Sequence, residues 1–157
     1  MKKIFLMAMF ALACITPAWA QHAPLGYQLL CLKNPAVCAE RGATAIPYTQ
    51  ALMSALANVN AQVNHAIKPK NDAPGTDTWS LNVSQGDCEE FALAKRQKLI
   101  TMGYSSAAIH IATGNLPDGE GHAVLMVNTS KGKFVLDILK PNVLPLGSTP
   151  YQHFMLL

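Results

Sequence analysis

Two prolines bracket the longest periodic stretch of the chain, and what lies between them limits the folds open to it. From Pro47 to Pro69, Tyr48, Leu52, Leu56 (or Ala55), Val59, Val63 and Ile67 recur at spacings of three and four. That period sets them on one side of an α-helix. The spacing predicts a helix over 47–67, with Pro47 in its first turn and Pro69 as its stop. So apolar a stripe belongs in a core, and the rest of the chain has to cover it.

A second helix is expected over 88–102. Phe91, Ala92, Ala94 (or Lys95), Leu99 and Met102 share one side, and Gly103 ends it. Asp87, Glu89 and Glu90 stand at its start and Lys95, Arg96 and Lys98 in its later turns, which suits the helix dipole. Upstream, 27–32 reads as a short helix broken at Asn34-Pro35, with a further turn over 36–40. Between the long helices, 68–85 carries Pro69, Pro74 and Gly75 without an apolar period, so it reads as a long loop of the functional kind. Trp79 near its end either covers the core edge or forms a wall beside Cys88. The remainder is β-rich: strands over 108–112, 122–127 and 134–137, a loop over 114–121, a turn at Ser130-Lys131-Gly132-Lys133, and an edge strand over 151–157. Helices followed by an antiparallel sheet define an α+β fold.

The first residues do not belong to that fold. Met1-Lys2-Lys3, an apolar run and Ala18-Trp19-Ala20 make a secretory signal peptide over 1–20, cut before Gln21. The apolar run is too short to span a bilayer. Leu12-Ala13-Cys14 offers a lipoprotein cut as the alternative. Residues 21–157 then form a single exported domain, with the periplasm as its expected location. Of 12 basic residues against 9 acidic, two lysines lie in the leader, so the exported part is close to neutral. Such a balance gives no basic face for nucleic acid. Cys31, Cys38 and Cys88 remain, an odd set for an oxidising compartment. A local disulfide between Cys31 and Cys38 across Asn34-Pro35 leaves Cys88 free. The alternative pairs Cys88 with one of them as a core staple.

Cys88 follows Gly86-Asp87 and opens the second helix, where unpaired N–H groups and the dipole favour a thiolate. A cysteine nucleophile needs a base, and the base an orienting group. His122 at the mouth of a strand is the best base, and Asp137 ends the next strand. With Lys131-Gly132 as the turn, Asp137 falls across from Met126, on the face of His122 but four residues away. The backbone N–H of Cys88, with a group near Trp79, would receive the oxyanion. His110, His65, His22 and His153 carry less, and no Cys/His pairs stand at zinc-ligand spacing. Asp87, Glu89 and Glu90 serve either as dipole complement or as oxygen ligands for Ca²⁺. Three acids beside a thiolate would raise its pKa, and a cation would cancel that effect.

Several stretches together carry a resemblance. Asn58-Val59-Asn60-x-x-Val63-Asn64-x-x-Ile67, Asp77-x-Trp79, Gly86-Asp87-Cys88-Glu89-Glu90-Phe91-Ala92-x-x-Lys95, Gly121-His122-Ala123-Val124-Leu125 and Val135-Leu136-Asp137 resemble the bacterial transglutaminase-like cysteine proteinases, the LapG-type periplasmic proteases. Cys31…Pro35…Cys38 also resembles that family's N-terminal stretch. The resemblance implies a papain/transglutaminase-like core, with the nucleophile helix packed on the antiparallel sheet. It implies a Cys88–His122–Asp137 triad and endoproteolysis in the periplasm. It implies a large surface adhesin as substrate, cut to control biofilm attachment, and calcium held by Asp87, Glu89 and Glu90. An inhibitory membrane-protein partner belongs to the same picture. The family commonly has aspartate and tyrosine where this chain has Glu90-Phe91, and asparagine at Ile138. The same triad would also serve an acyltransferase or an amidase, and the scaffold without catalysis would serve as a binding module.

Overall fold

The structure is a computed structural model that describes residues 23–157. The leader, Cys14 and His22 lie outside the described residues. The chain opens with α1 (Leu25–Lys33) and α2 (Pro35–Cys38), and Cys31 is bonded to Cys38 across the break between them. Asp77 anchors α1 to the later loop. One of its carboxylate oxygens accepts the Gly26 N–H at 2.8 Å and the other the Trp79 indole N–H at 2.7 Å. Gly26 has to be glycine here, because a Cβ would lie 2.4 Å from the Trp79 ring.

The long helix α3 spans Gln50–Ala66. It starts later than the proline pattern suggests because Thr49 is its cap, accepting the Leu52 N–H at 3.0 Å. Pro47 and Tyr48 precede it, and Tyr48 packs on Phe134. Leu52, Leu56, Val59 and Val63 are buried as the stripe requires. Lys68–Pro69 (β1) then pairs in parallel with Gln85–Gly86 (β2), closing the long loop at its base. The second long helix, α4, spans Cys88–Thr101.

A short 3-10 turn leads into β3 (Ile109–Asn115), β4 (Gly121–Thr129) and β5 (Gly132–Leu136), followed by β6 (Leu144–Pro145) and β7 (Gln152–Leu156). The order across the antiparallel sheet is β6-β5-β4-β3-β7. Alternation along β4 separates two cores. Ala123, Leu125 and Val127 pack with the helices, while Val124 and Met126 pack with Tyr151 and Phe154. That is why β4 reads as a continuous apolar run.

The β4–β5 turn is one position earlier than expected. Thr129 pairs with Gly132, so Ser130-Lys131 make the turn. The Thr129 hydroxyl fixes it, accepting the Lys131 N–H at 3.1 Å and donating to the Gly132 carbonyl at 2.8 Å. Leu136 therefore faces Leu125, and the next residue, Asp137, falls beside Val124, on the face of His122 and two residues from it.

Asp77 is the main polar tie between α1 and the loop. Asp77→Ala leaves the Gly26 and Trp79 N–H groups without their acceptor and should cost about 1–3 kcal/mol for each. Urea unfolding measures the loss, and an unchanged midpoint would show that α1 is held by packing alone.

Candidate active site

Three elements converge at one end of the sheet. Cys88 is the first residue of α4, His122 the second of β4, and Asp137 the residue after β5. They meet at a cleft of about 480 Å³ whose lining includes Asp72, Asp87, Cys88, Glu89, Leu116, Glu120, His122 and Leu139.

His122 and Asp137 are both buried, and Nε2 lies 2.8 Å from Oδ1. The same Oδ1 accepts the Leu139 N–H at 3.0 Å, and Oδ2 accepts the Tyr151 hydroxyl. Burial alone would raise the Asp137 carboxyl. Hydrogen bonds from His122, Tyr151 and the Leu139 N–H outweigh it and hold the carboxyl below its ordinary value. Burial and the neighbouring carboxylate push the Tyr151 phenol up, so it stays a donor. With Nε2 committed to the acid, Nδ1 is the nitrogen left for chemistry. Tyr151 had no signal in the sequence beyond an aromatic at the start of an edge strand. Its role becomes visible only once β7 pairs with β3.

The sulfur of Cys88 meets the Ala123 N–H and donates to Glu89 Oε2 at 3.1 Å. Among the described residues no hydrogen bond joins it to His122. Burial first, then the charge and hydrogen bond of Glu89, push the thiol up. The thiolate that a helix N-terminus favours is thus opposed here by burial and by the adjacent acids.

Asp87, Cys88 and Glu89 can bring ligand atoms within 4.8 Å of one another. Asp87 Oδ1 is buried and takes no N–H or hydroxyl, Oδ2 accepts the Asp72 N–H at 3.4 Å, and the Asp87 and Glu89 carboxyl groups are in hydrogen-bond contact. Two carboxyl groups in contact, one with an oxygen that takes no N–H, fit a hard cation. Burial and then Asp87 push Glu89 up to about 8.

Two expected site residues are placed elsewhere. Glu90 does not join the metal-ligand cluster. Its Oε1 accepts the Ser80 N–H at 2.8 Å and its Oε2 the Asp87 N–H at 3.1 Å, so it caps α4 and binds the loop. Trp79 does not reach the Cys88 cleft. It is buried against Tyr27 with ring centres 5.1 Å apart, and its N–H is taken by Asp77. Lys95 and Arg96, in the later turns of α4, do more than complement the helix dipole. Both are buried, and Arg96 donates to the carbonyls of Val37 and, at 2.9 Å, Ile109.

A helix N-terminal cysteine beside a buried His–carboxylate pair, on helices packed against an antiparallel sheet, defines the thiol-hydrolase class of site. Residues 18–156 match the family described as bacterial transglutaminase-like cysteine proteinase BTLCP, and the chain belongs to that family of cysteine proteinases. The fold is transglutaminase-like. Calcium-bound Legionella pneumophila LapG is similar at 24% identity and a TM-score of 0.59, over 64% of this chain and 62% of that one. A second structure of Legionella pneumophila LapG shows 25% identity and a TM-score of 0.58, over 64% and 60%. An EGTA-treated form shows 25% identity and a TM-score of 0.57, over 63% and 59%. The chain thus covers less than two thirds of the length of these proteins. No curated protein is matched by the chain.

Burial raises Glu89 to about 8 and Glu90 to about 7, from 4.5. Between those values the folded chain holds protons that the unfolded chain has released, so stability falls as pH rises. In chelator, the melting temperature should drop from pH 5 to pH 8, and Glu89→Gln should flatten the slope. A flat wild-type profile would show that Glu89 is solvated in solution.

Proposed function

We propose that the protein is a periplasmic cysteine endopeptidase. The observation that carries this reading is the buried 2.8 Å contact between His122 Nε2 and Asp137 Oδ1, on the cleft that also holds the Cys88 sulfur. Cys88 Sγ attacks the scissile carbonyl carbon. His122 Nδ1 takes the thiol proton and delivers it to the leaving amine, and Asp137 fixes the ring and balances the imidazolium. The Cys88 N–H, unpaired within the helix as a first-turn donor, receives the oxyanion. Water activated by His122 then releases the acyl group from sulfur.

Asp87 and Glu89 would hold calcium, and the ion would supply positive charge beside a thiol that the acids otherwise disfavour. The Asp87 oxygen that takes no N–H and the calcium-bound form of Legionella pneumophila LapG support this. Export follows from the leader sequence. A large surface adhesin is the substrate proposed from the family resemblance, with an inhibitory membrane protein as its regulator.

Cys88→Ala and His122→Ala should abolish cleavage with the fold intact, and Asp137→Asn should lower kcat by about 10²–10⁴. Comparing surface proteins shed by wild-type and Cys88→Ala cells identifies the substrate, and identical profiles would remove the adhesin from the proposal. For the metal, EGTA should lower the melting temperature and slow alkylation of Cys88 by iodoacetamide, and Ca²⁺ should restore both. Indifference to EGTA in both measurements would exclude a calcium role.

A further inference from the structure

Three polar residues behind Asp137 take no part in the chemistry above. Asn60 and Asn64 lie one turn apart on α3. Asn60 Nδ2 donates to the carbonyls of Lys140 at 2.9 Å and Pro141 at 3.2 Å. Asn64 Nδ2 donates to the carbonyl of Asp137 at 2.9 Å. Together they clamp the segment that leaves β5 and carries the acid. Each amide oxygen is buried and, among the described residues, lacks a donor.

Lys95 lies two turns along α4 from Cys88 and is only 1% exposed. Its side-chain nitrogen sits 6.0 Å from the Phe91 ring centre, and burial lowers its pKa to about 7 against the raising effect of the Asp137 charge. Among the described residues, no hydrogen bond to it is found. An ammonium has three donors and no acceptor. The packed α3–α4 layer therefore holds two buried acceptors without donors on α3 and, among the described residues, a buried donor group without acceptors on α4. Replacing a buried charge with an apolar residue of similar volume is often neutral or stabilising, so stability alone does not explain the lysine.

We propose that Lys95, Asn60 and Asn64 form a buried brace that fixes Asp137 from behind and thereby sets the orientation of His122. The Lys95 side chain supplies the donors that the two amide oxygens need through a trapped water. These are positioning residues, and the proposal rests on His122–Asp137 acting as the catalytic pair.

The test needs no substrate. In the whole exported chain labelled with ¹⁵N-histidine, the His122 Nε2–H that meets Asp137 should exchange slowly with water. Lys95→Met and Asn64→Ala should each speed that exchange at least tenfold, and the double variant should exchange no faster than the worse single one. Leu30→Ala, a core truncation on α1, should lower the melting temperature and leave the exchange unmoved. Unchanged exchange in Lys95→Met, or multiplied effects in the double variant, would overturn the brace. If Lys95→Met does not fold, Asn64→Ala at its half-buried site decides alone by the same tenfold criterion. Cleavage by Cys88→Ala would refute the endopeptidase reading, whereas the exchange rate tests the brace, so the two failures are distinguishable.

Discussion

The carboxylate of Glu90 is the tie on which the geometry of the cleft depends. One oxygen holds the Ser80 N–H and the other the Asp87 N–H. It therefore joins the long loop to the start of α4 and sets where the helix begins. Gly86 lets this side chain lie flat against the backbone, since a Cβ there would come within 2.7 Å of it. The β1–β2 pair and the Lys70 N–H on the Gly86 carbonyl at 2.8 Å hold the other end of the same loop. Cys88 occupies the first helical position because everything before it is pinned. The glutamate carboxylate thus serves one donor in the loop and one at the helix start.

The two halves of the site differ in how far their polar groups are satisfied. Asp137 has the imidazole, a phenol and a backbone N–H as donors, and its charge is stabilised despite burial. The sulfur side has an Asp87 oxygen that takes no N–H and a Glu89 that retains its proton toward neutral pH. Low local dielectric strengthens the first arrangement and penalises the second. A site finished on one side and open on the other suits a group that arrives from the cleft. Such a group would bring positive charge beside two carboxyl groups, which is what oxygen-rich cation sites supply.

The sequence showed the fold class through local period and punctuation. The α3 stripe, the α4 run and the apolar strands each follow from spacing that tertiary packing does not override. Cys88, His122 and Asp137 stood out because each sits at an element end. Their meeting was less legible, because it turns on one position of register. A Thr129 hydroxyl closing the turn moves Asp137 from beside Met126 to beside Val124, and nothing in the alternation of β5 distinguishes those registers. Trp79 and Glu90 each took the plainer of the two roles open to them, the indole covering the core edge and the carboxylate capping α4. Proximity in sequence to Cys88 suggested a role at the sulfur, whereas an indole N–H and a carboxylate go where buried partners exist. Tyr151 lay beyond sequence reasoning, since its partner comes from another strand end.

Lys95 and Arg96 show the same limit from the opposite direction. Charges in the later turns of a helix suggest dipole complementarity, yet α4 is covered on one side by the sheet and on another by α3. A helix so enclosed is ordinarily apolar all round. Apolar contacts alone would let it slide or rotate by small amounts at little cost, because hydrophobic burial is non-directional. Arg96 removes that freedom by donating to Val37, in the segment stapled by Cys31–Cys38, and to Ile109 at the start of β3. The helix that carries the sulfur is thereby referenced to both the N-terminal segment and the sheet. Directional polar contacts in its middle are what allow its first residue to be placed accurately against a histidine that belongs to another layer.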